Sequence, residues 1–124
     1  MNNTDKIIRE NIEHIREKID RAASKSGRSS SAVKLMAVTK FRSIEEIRSA
    51  YGAGIRLFGE NRVQEAVEKF SNPALRFDDA RLHMIGILQR NKVKSILPYV
   101  SCIHSVDRIE LMEEIAKRLQ AEKP

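Results

Sequence analysis

The sequence predicts an α/β protein in which a leading helix is followed by four strand–helix units around a parallel sheet. Three observations predict this class. Short apolar runs of strand length alternate with amphipathic helical stretches along the chain. The connections between them are short. Polar side chains follow the strand-length runs, where α/β proteins carry their reactive groups. Four such units fit half of an eight-stranded barrel or a small open sheet, and composition alone does not separate the two.

Length and composition predict one soluble domain over residues 1–124. The chain is 41% hydrophobic and 32% charged, which is sufficient for a core. No apolar stretch approaches the ~20 residues of a membrane helix. The single cysteine, Cys102, has no internal disulfide partner, which agrees with a reducing compartment. We therefore expect a cytoplasmic protein in which Cys102 is a buried structural thiol.

The charge pattern predicts no specific nucleic-acid binding. The chain has 23 Lys and Arg against 17 Asp and Glu, a net charge of +6. These charges are scattered and mostly alternate in sign on the helical stretches. Four Phe and two Tyr are the only aromatic residues, and none lies in a basic cluster suited to stacking on bases.

The first predicted elements are a helix over residues 4–26 and a strand over residues 33–39. Thr4 or Asp5 is expected to cap the helix, and Gly27 to end it. The strand run is almost continuously apolar, which is typical of a parallel strand covered on both faces. The apolar stripe of the helix comprises Ile8, Ile12, Ile15, Ile19 and Ala22.

Capping patterns mark the next two helices. Ser43 and Glu46 form a capping box in front of a helix that carries Ile47 inward. A strand is predicted over residues 55–59, after which Asn61 opens a helix that ends at the Asn72–Pro73 pair.

Two further strand–helix units are predicted in the rest of the chain. A strand over residues 82–85 ends at Gly86 and is followed by a helix over residues 92–99. A fourth strand covers residues 102–106, and the last helix begins at Asp107. The predicted inward stripe of that helix comprises Ile109, Met112, Ala116 and Leu119.

Polar groups follow each predicted strand and are expected on one rim of the sheet. Lys40, the most informative of them, comes directly after an apolar strand. A low-dielectric surrounding disfavours an ammonium ion, and a neutral amine can attack an aldehyde to form a Schiff base. A strand-end lysine that simply extends into water is the alternative. The groups that follow the other strands are Asn61, the set Gln89, Asn91 and Lys92, and Asp107.

The other candidate residues each have a structural interpretation as well. Asn61 alone is a helix N-cap. Glu60 is a candidate acid–base group, but we favour its interpretation as a solvated or paired carboxylate. His83, in a strand, is typical of core packing, as is His104, while His14 lies on a charged helix. No second His, Cys or acid is spaced for a metal site. Phosphate-loop, nucleophile-elbow and Ser/His/Asp patterns are not found.

Four segments together resemble one family. They are AVTK at residues 37–40, FGENRVQE at 58–65, HMIGILQRNK at 83–92 and HSVD at 104–107. In this order and spacing they resemble the pyridoxal phosphate homeostasis proteins, which share the alanine racemase N-terminal-like barrel. Each segment alone has little specificity, whereas the four in combination are highly specific.

The resemblance implies that Lys40 holds pyridoxal 5'-phosphate (PLP) as a Schiff base. It places Asn61 next to the cofactor ring and His83 on the strand beneath it. It gives Gln89, Asn91 and Lys92 no defined role. Family members are regarded as cofactor carriers or regulators of vitamin B6 metabolism without a defined reaction, so we expect no catalytic residue. Racemase activity rests on fold analogy alone, and the chain has no visible second catalytic base.

Family members are about twice as long as this chain, and their later strands supply the Ser- and Gly-rich loops that hold the phosphate. We therefore expect that Lys40 is retained without the phosphate-binding loops, so that PLP occupancy is reduced. The alternative is a remnant or interaction module that no longer binds PLP tightly.

Half a barrel would also expose sheet edges and an apolar inner face. A second copy of the chain, a separately encoded second half, or flattening into an open sheet would resolve this exposure. We expect the homodimer, because it needs no other protein.

Overall fold

A computed structural model describes residues 2–121, and their element order is the predicted one. Short 3₁₀ turns lie at Ser30–Ala32, Pro73–Leu75 and Arg90–Lys92. No helix within the described residues has the length and apolarity needed to cross a membrane. The elements are α1 (Asn3–Lys25), β1 (Ala37–Val38), α2 (Ile44–Gly52), β2 (Leu57–Glu60), α3 (Val63–Phe70), β3 (Arg81–Met84), α4 (Val93–Ile96), β4 (Cys102–Ile103) and α5 (Ile109–Ala121).

The four strands form one parallel sheet in the order β1-β2-β3-β4, which confirms the predicted fold class. Each strand pairs with its neighbour in sequence, and a helical connection joins them, as parallel pairing requires. The register aligns Val38, Gly59, His83 and Cys102 in one row across the sheet. Because alternate residues point to opposite faces, this row marks one face of the sheet.

The other face of the sheet carries the core. Phe58, Leu82 and Met84 lie on it and are buried against the helices. Val38, on the opposite face, is 48% exposed. The prediction that the first strand is covered on both faces is therefore wrong, since among the described residues the helices cover only one. We call the second face the open face; it carries Val38, Gly59, His83, Cys102 and His104.

For α1 and α2, two of the predicted helix boundaries are confirmed and one is wrong. Ser43 and Glu46 form the predicted capping box, with each side chain accepting from the other's backbone N–H at 3.1 and 3.0 Å. Gly27 follows α1 with φ 72°, as a helix-ending glycine does. The start of α1 is capped by Asn2, whose side chain accepts from the Asp5 N–H, and not by Thr4 or Asp5.

The strands and the third crossover helix are shorter than predicted. The first strand is limited to Ala37–Val38 because only these residues pair with β2, and Val33 instead ends a 3₁₀ turn. Likewise β4 is limited to Cys102–Ile103. The predicted helix over residues 92–99 consists of a 3₁₀ turn followed by the single turn α4.

The predicted inward stripe of α5 is wrong. Leu111 and Glu114 are the buried residues of this helix, and its buried side packs against α4. Ile109, Met112 and Leu119 are 66%, 55% and 50% exposed. Sequence spacing identified an apolar stripe, but the packing direction depends on where α4 lies.

Adjacent truncations in α5 test this orientation. Leu111→Ala should lower the free energy of unfolding by about 2–5 kcal/mol, because it leaves a cavity in the core. The matched control Met112→Ala should change it by less than about 0.5 kcal/mol. Urea unfolding measures both. A larger loss for Met112→Ala than for Leu111→Ala would show that the helix packs through the predicted stripe.

Candidate functional site

Lys40 lies in a tight turn directly after β1, at the carboxyl end of the sheet. The turn is closed by the Arg42 N–H, which donates to the Thr39 carbonyl at 3.0 Å. Phe41 has φ 61°, a left-handed conformation that is unfavourable for a residue other than glycine. The Lys40 side chain is exposed, and its amine makes no ion pair or hydrogen bond within residues 2–121. The amine is thus free for a ligand.

A buried polar cluster holds this turn, which we call the Glu60–Lys69 network; it consists of Thr39, Glu60, Glu65 and Lys69. The Lys69 ammonium donates to the Thr39 carbonyl at 2.6 Å and pairs with one oxygen each of Glu60 and Glu65, at 2.7 and 2.9 Å. The Thr39 hydroxyl donates to Glu60. Glu65 also accepts from the Phe41 N–H, inside the turn.

Two charges of this network are almost completely removed from water. Glu60 is 0% and Lys69 9% exposed, and a buried charge without a partner is strongly unfavourable. The ammonium donates hydrogen bonds to the Thr39 carbonyl and to Glu65, and it forms an ion pair with Glu60. One oxygen of Glu60, Oε1, is buried without a hydrogen-bond partner. The sequence interpretation of Glu60 as a paired carboxylate is confirmed.

Lys69 is the functional residue that sequence reasoning missed. Its only sequence signal is the spacing of four residues from Glu65 on the same helix, which favours an ion pair. Partial burial raises the pKa of Glu65, but hydrogen bonds from Lys69 and from the Phe41 N–H outweigh it, so the net pKa is lowered. Glu65 therefore remains ionised where it contacts the turn.

Asn61 does not cap α3, so this sequence interpretation is wrong. The N-cap position is occupied by Arg62, whose backbone is still extended at φ −121° and ψ 131°. The half-buried Asn61 instead follows β2 and lies against Gly86. A Cβ on Gly86 would come within 2.3 Å of the Asn61 carbonyl oxygen. The absence of a side chain at Gly86 therefore allows the Asn61 backbone to lie close to the residues that follow β3.

The sequence prediction that His83 is a lone core histidine is wrong. Its Nδ1 lies 3.0 Å from Nε2 of His104 on the open face. Cys102 lies beside both and is exposed, so the prediction of a buried thiol is wrong. Burial, followed by the proximity of His104 and Lys34, lowers the pKa of His83 and favours its neutral form.

The remaining predicted rim residues lie apart from Lys40. Gln89 and Asn91 line an open cavity of about 710 Å³ that none of Lys40, Asn61 and His83 lines. Exposed Asp107 pairs with Arg108 at 2.7 Å. Lys92 is exposed in the 3₁₀ turn.

Removal of the Lys69 charge tests the Glu60–Lys69 network. Lys69→Met should lower the free energy of unfolding by about 3–5 kcal/mol, because it leaves the Glu60 carboxylate buried without a counter-charge. The double variant with Glu60→Gln should recover part of this loss. Arg21→Met, in an exposed ion pair with Glu17, is the control and should cost less than about 1 kcal/mol. Equal losses in Lys69→Met and Arg21→Met, measured by urea unfolding, would contradict the assignment.

No protein-family model matches the chain. Comparison with curated proteins gives close relatives: the pyridoxal phosphate homeostasis protein of Vibrio cholerae is 42% identical over 119 residues, which cover 94% of this chain and 49% of that protein. Among solved structures, an unknown protein from Bifidobacterium adolescentis matches with a TM-score of 0.88 and 34% identity, over 98% of this chain and 53% of its own.

PipY of Synechococcus elongatus, solved with PLP bound, matches with a TM-score of 0.69 and 38% identity, over 83% of this chain and 48% of its own. The chain thus spans about half the length of the curated relatives it matches. The predicted resemblance to the pyridoxal phosphate homeostasis proteins is therefore confirmed, for the half of those proteins that this chain spans.

Proposed function

We propose that this chain binds PLP, with the Lys40 amine holding the aldehyde carbon as a Schiff base, and that it serves PLP homeostasis. The observation that carries the proposal is the free amine of Lys40, which a buried ionic network positions at the carboxyl end of the sheet. Similarity to PipY, which was solved with PLP bound, supports the choice of ligand.

The residues around Lys40 suit the ring of such a ligand. On the strand next to that of Lys40, Gly59 is overlain by the side chains of Met36 and Ile85. These groups provide an apolar floor. The Asn61 backbone packs against Gly86, and the side-chain amide of Asn61 is of a type that can hydrogen-bond a polar ring substituent. We propose ring contacts for Asn61 and for His83, on the strand beyond.

The phosphate end of the ligand has weaker support in this chain. The net charge of +6 attracts an anion in a general way. Specific binding of a phosphate usually depends on several backbone N–H groups and a helix N-terminus. We infer that this part of the site requires a partner chain, and that the isolated chain binds PLP weakly.

Carriage of PLP is the function we propose, without a reaction catalysed on it. A second candidate function, an interaction module that no longer holds PLP tightly, is favoured by the length of the match, about half of each relative. The two differ in whether Lys40 reacts with PLP in preference to other lysines.

Borohydride trapping distinguishes the two functions. The protein is mixed with PLP and reduced, and the modified lysines are mapped by peptide mass spectrometry. Lys40 should be labelled at least about tenfold more than exposed Lys25 at the end of α1, because the turn presents its amine beside an apolar surface. Lys40→Ala should abolish the selective label and its absorbance band, and Lys25→Ala should leave both unchanged.

Uniform labelling of Lys40 and Lys25 would contradict the proposed cofactor site and favour the interaction module. Circular dichroism of Lys40→Ala serves as the folding control. Because Lys40 is exposed and makes no polar contact within residues 2–121, its replacement should not change the spectrum.

We further propose that the open face pairs with a second copy of this chain. Val38 on this face is 48% exposed, and Phe41 and Ile87 near its carboxyl edge are 73% and 78% exposed, which is unfavourable for an isolated surface. A second copy is always available at equal concentration, whereas a complementary second half requires another chain.

Sedimentation equilibrium tests the pairing. The wild type should be a dimer at micromolar concentration, and Val38→Asp should make it a monomer, because a carboxylate would be buried in the interface. Ile15→Asp, at a 43% exposed position of α1, is the matched control and should leave the dimer intact. A folded wild-type monomer at this concentration would rule the homodimer out.

A further inference from the structure

Three metal-ligating side chains converge on the open face. Cys102 is the register partner of His83 on the neighbouring strand. His104 lies two residues after Cys102 and therefore on the same face. His83 Nδ1 and His104 Nε2 are 3.0 Å apart. One nitrogen of each ring and the Cys102 sulfur all lie within 4.8 Å of one another.

We propose that His83, Cys102 and His104 form a binding site for a divalent zinc-type ion. Zinc takes nitrogen ligands at about 2.0–2.1 Å and thiolate at about 2.3 Å, so the donors of a tetrahedral site lie roughly 3.3–3.7 Å apart. The two facing nitrogens, 3.0 Å apart, are slightly closer than this, and the Cys102 sulfur lies within 4.8 Å of one nitrogen of each ring. The Cys102 and His104 side chains are exposed, so they can rotate to adjust these separations.

The donor set determines the class of ion. Two imidazoles and one thiolate are soft or borderline ligands, which favour zinc, cobalt and copper over magnesium and calcium. Three protein ligands leave the fourth tetrahedral position open to water or to a ligand. This open position faces away from the helices, because the site is on the open face.

Metal binding also requires particular protonation states of the ligands. A neutral imidazole offers a nitrogen lone pair to a metal ion, and cysteine binds one as the thiolate. In the metal-free protein one of the two facing nitrogens, His83 Nδ1 and His104 Nε2, donates a hydrogen bond to the other. When a metal ion binds both of them, each ring carries its proton on its other nitrogen. The Cys102 thiol proton is released to solvent. The neighbouring Lys34 repels a cation and limits affinity, while the Cys102 thiolate offsets it.

Cobalt titration of the tag-free protein, with a phosphine reductant, tests the site. Cys102 is the single cysteine of the chain, so a thiolate-to-cobalt charge-transfer band reports on it alone. We expect this band together with the visible bands of tetrahedral cobalt, with a Kd of about 10 μM or tighter, and displacement by zinc.

Single substitutions identify the ligands. Cys102→Ser should abolish the charge-transfer band, and His83→Gln or His104→Gln should weaken binding at least about tenfold. His14→Gln, which removes the third histidine of the chain on the exposed side of α1, should leave the affinity unchanged. Far-ultraviolet circular dichroism of each variant checks folding, and the exposed His104 keeps the test valid should His83→Gln unfold.

Absence of the band in the wild type, or the same cobalt affinity in Cys102→Ser, would overturn the proposal. The Lys40→Ala variant should bind cobalt like the wild type. Failure of the metal site is therefore distinguishable from failure of the proposed PLP function.

Discussion

The buried ion pair between Glu60 and Lys69 is the interaction on which the geometry of the site depends. It joins the end of β2 to α3, and through the Thr39 carbonyl it also holds the end of β1. Glu65 extends it to the Phe41 N–H, inside the turn that carries Lys40. Because neither charge can be left unpaired away from water, the three elements keep one relative arrangement. The turn that carries the exposed Lys40 is thereby placed at a defined position.

The second constraint is that helices cover only one face of the sheet in the described residues. The two-residue period of the strands sends Phe58, Leu82 and Met84 into the core and leaves the alternate residues on the open face. His83, Cys102 and His104 belong to this second set, and Lys40 follows it at the edge. The face that contributes least to the core thus carries the reactive side chains. Lys40 lies at the carboxyl end of a strand, where α/β proteins commonly have their sites.

Local signals in the sequence predicted the order of elements and the parallel sheet, because alternation of apolar runs and amphipathic stretches is a local property. The Ser43 capping box and the Gly27 helix end were predictable for the same reason. The partner of Glu60 was not, since Lys69 reaches it only once α3 has packed on the sheet. The convergence of His83 and His104 depends on a strand register that no local pattern encodes.

The packing direction of α5 shows the same limit. Its apolar stripe is present in the sequence, yet the side that carries Leu111 and Glu114 is the buried one, and the helix packs against α4. Likewise, Asn61 fits the composition of a helix cap, but the backbone of Arg62 remains extended and displaces the helix start by one residue. Sequence patterns identified these residues, and tertiary packing assigned their roles.

The central claim is that the Glu60–Lys69 network positions Lys40 for reaction with PLP. Its most direct test is the fraction of Lys40 labelled by PLP and borohydride in Glu65→Ala, with Glu68→Ala on the exposed side of the same helix as control. Loss of the Glu65 contact to the Phe41 N–H should reduce labelling of Lys40 about tenfold, to the level of Lys25, while Glu68→Ala retains it. Unchanged labelling of Lys40 in a folded Glu65→Ala variant would contradict the account.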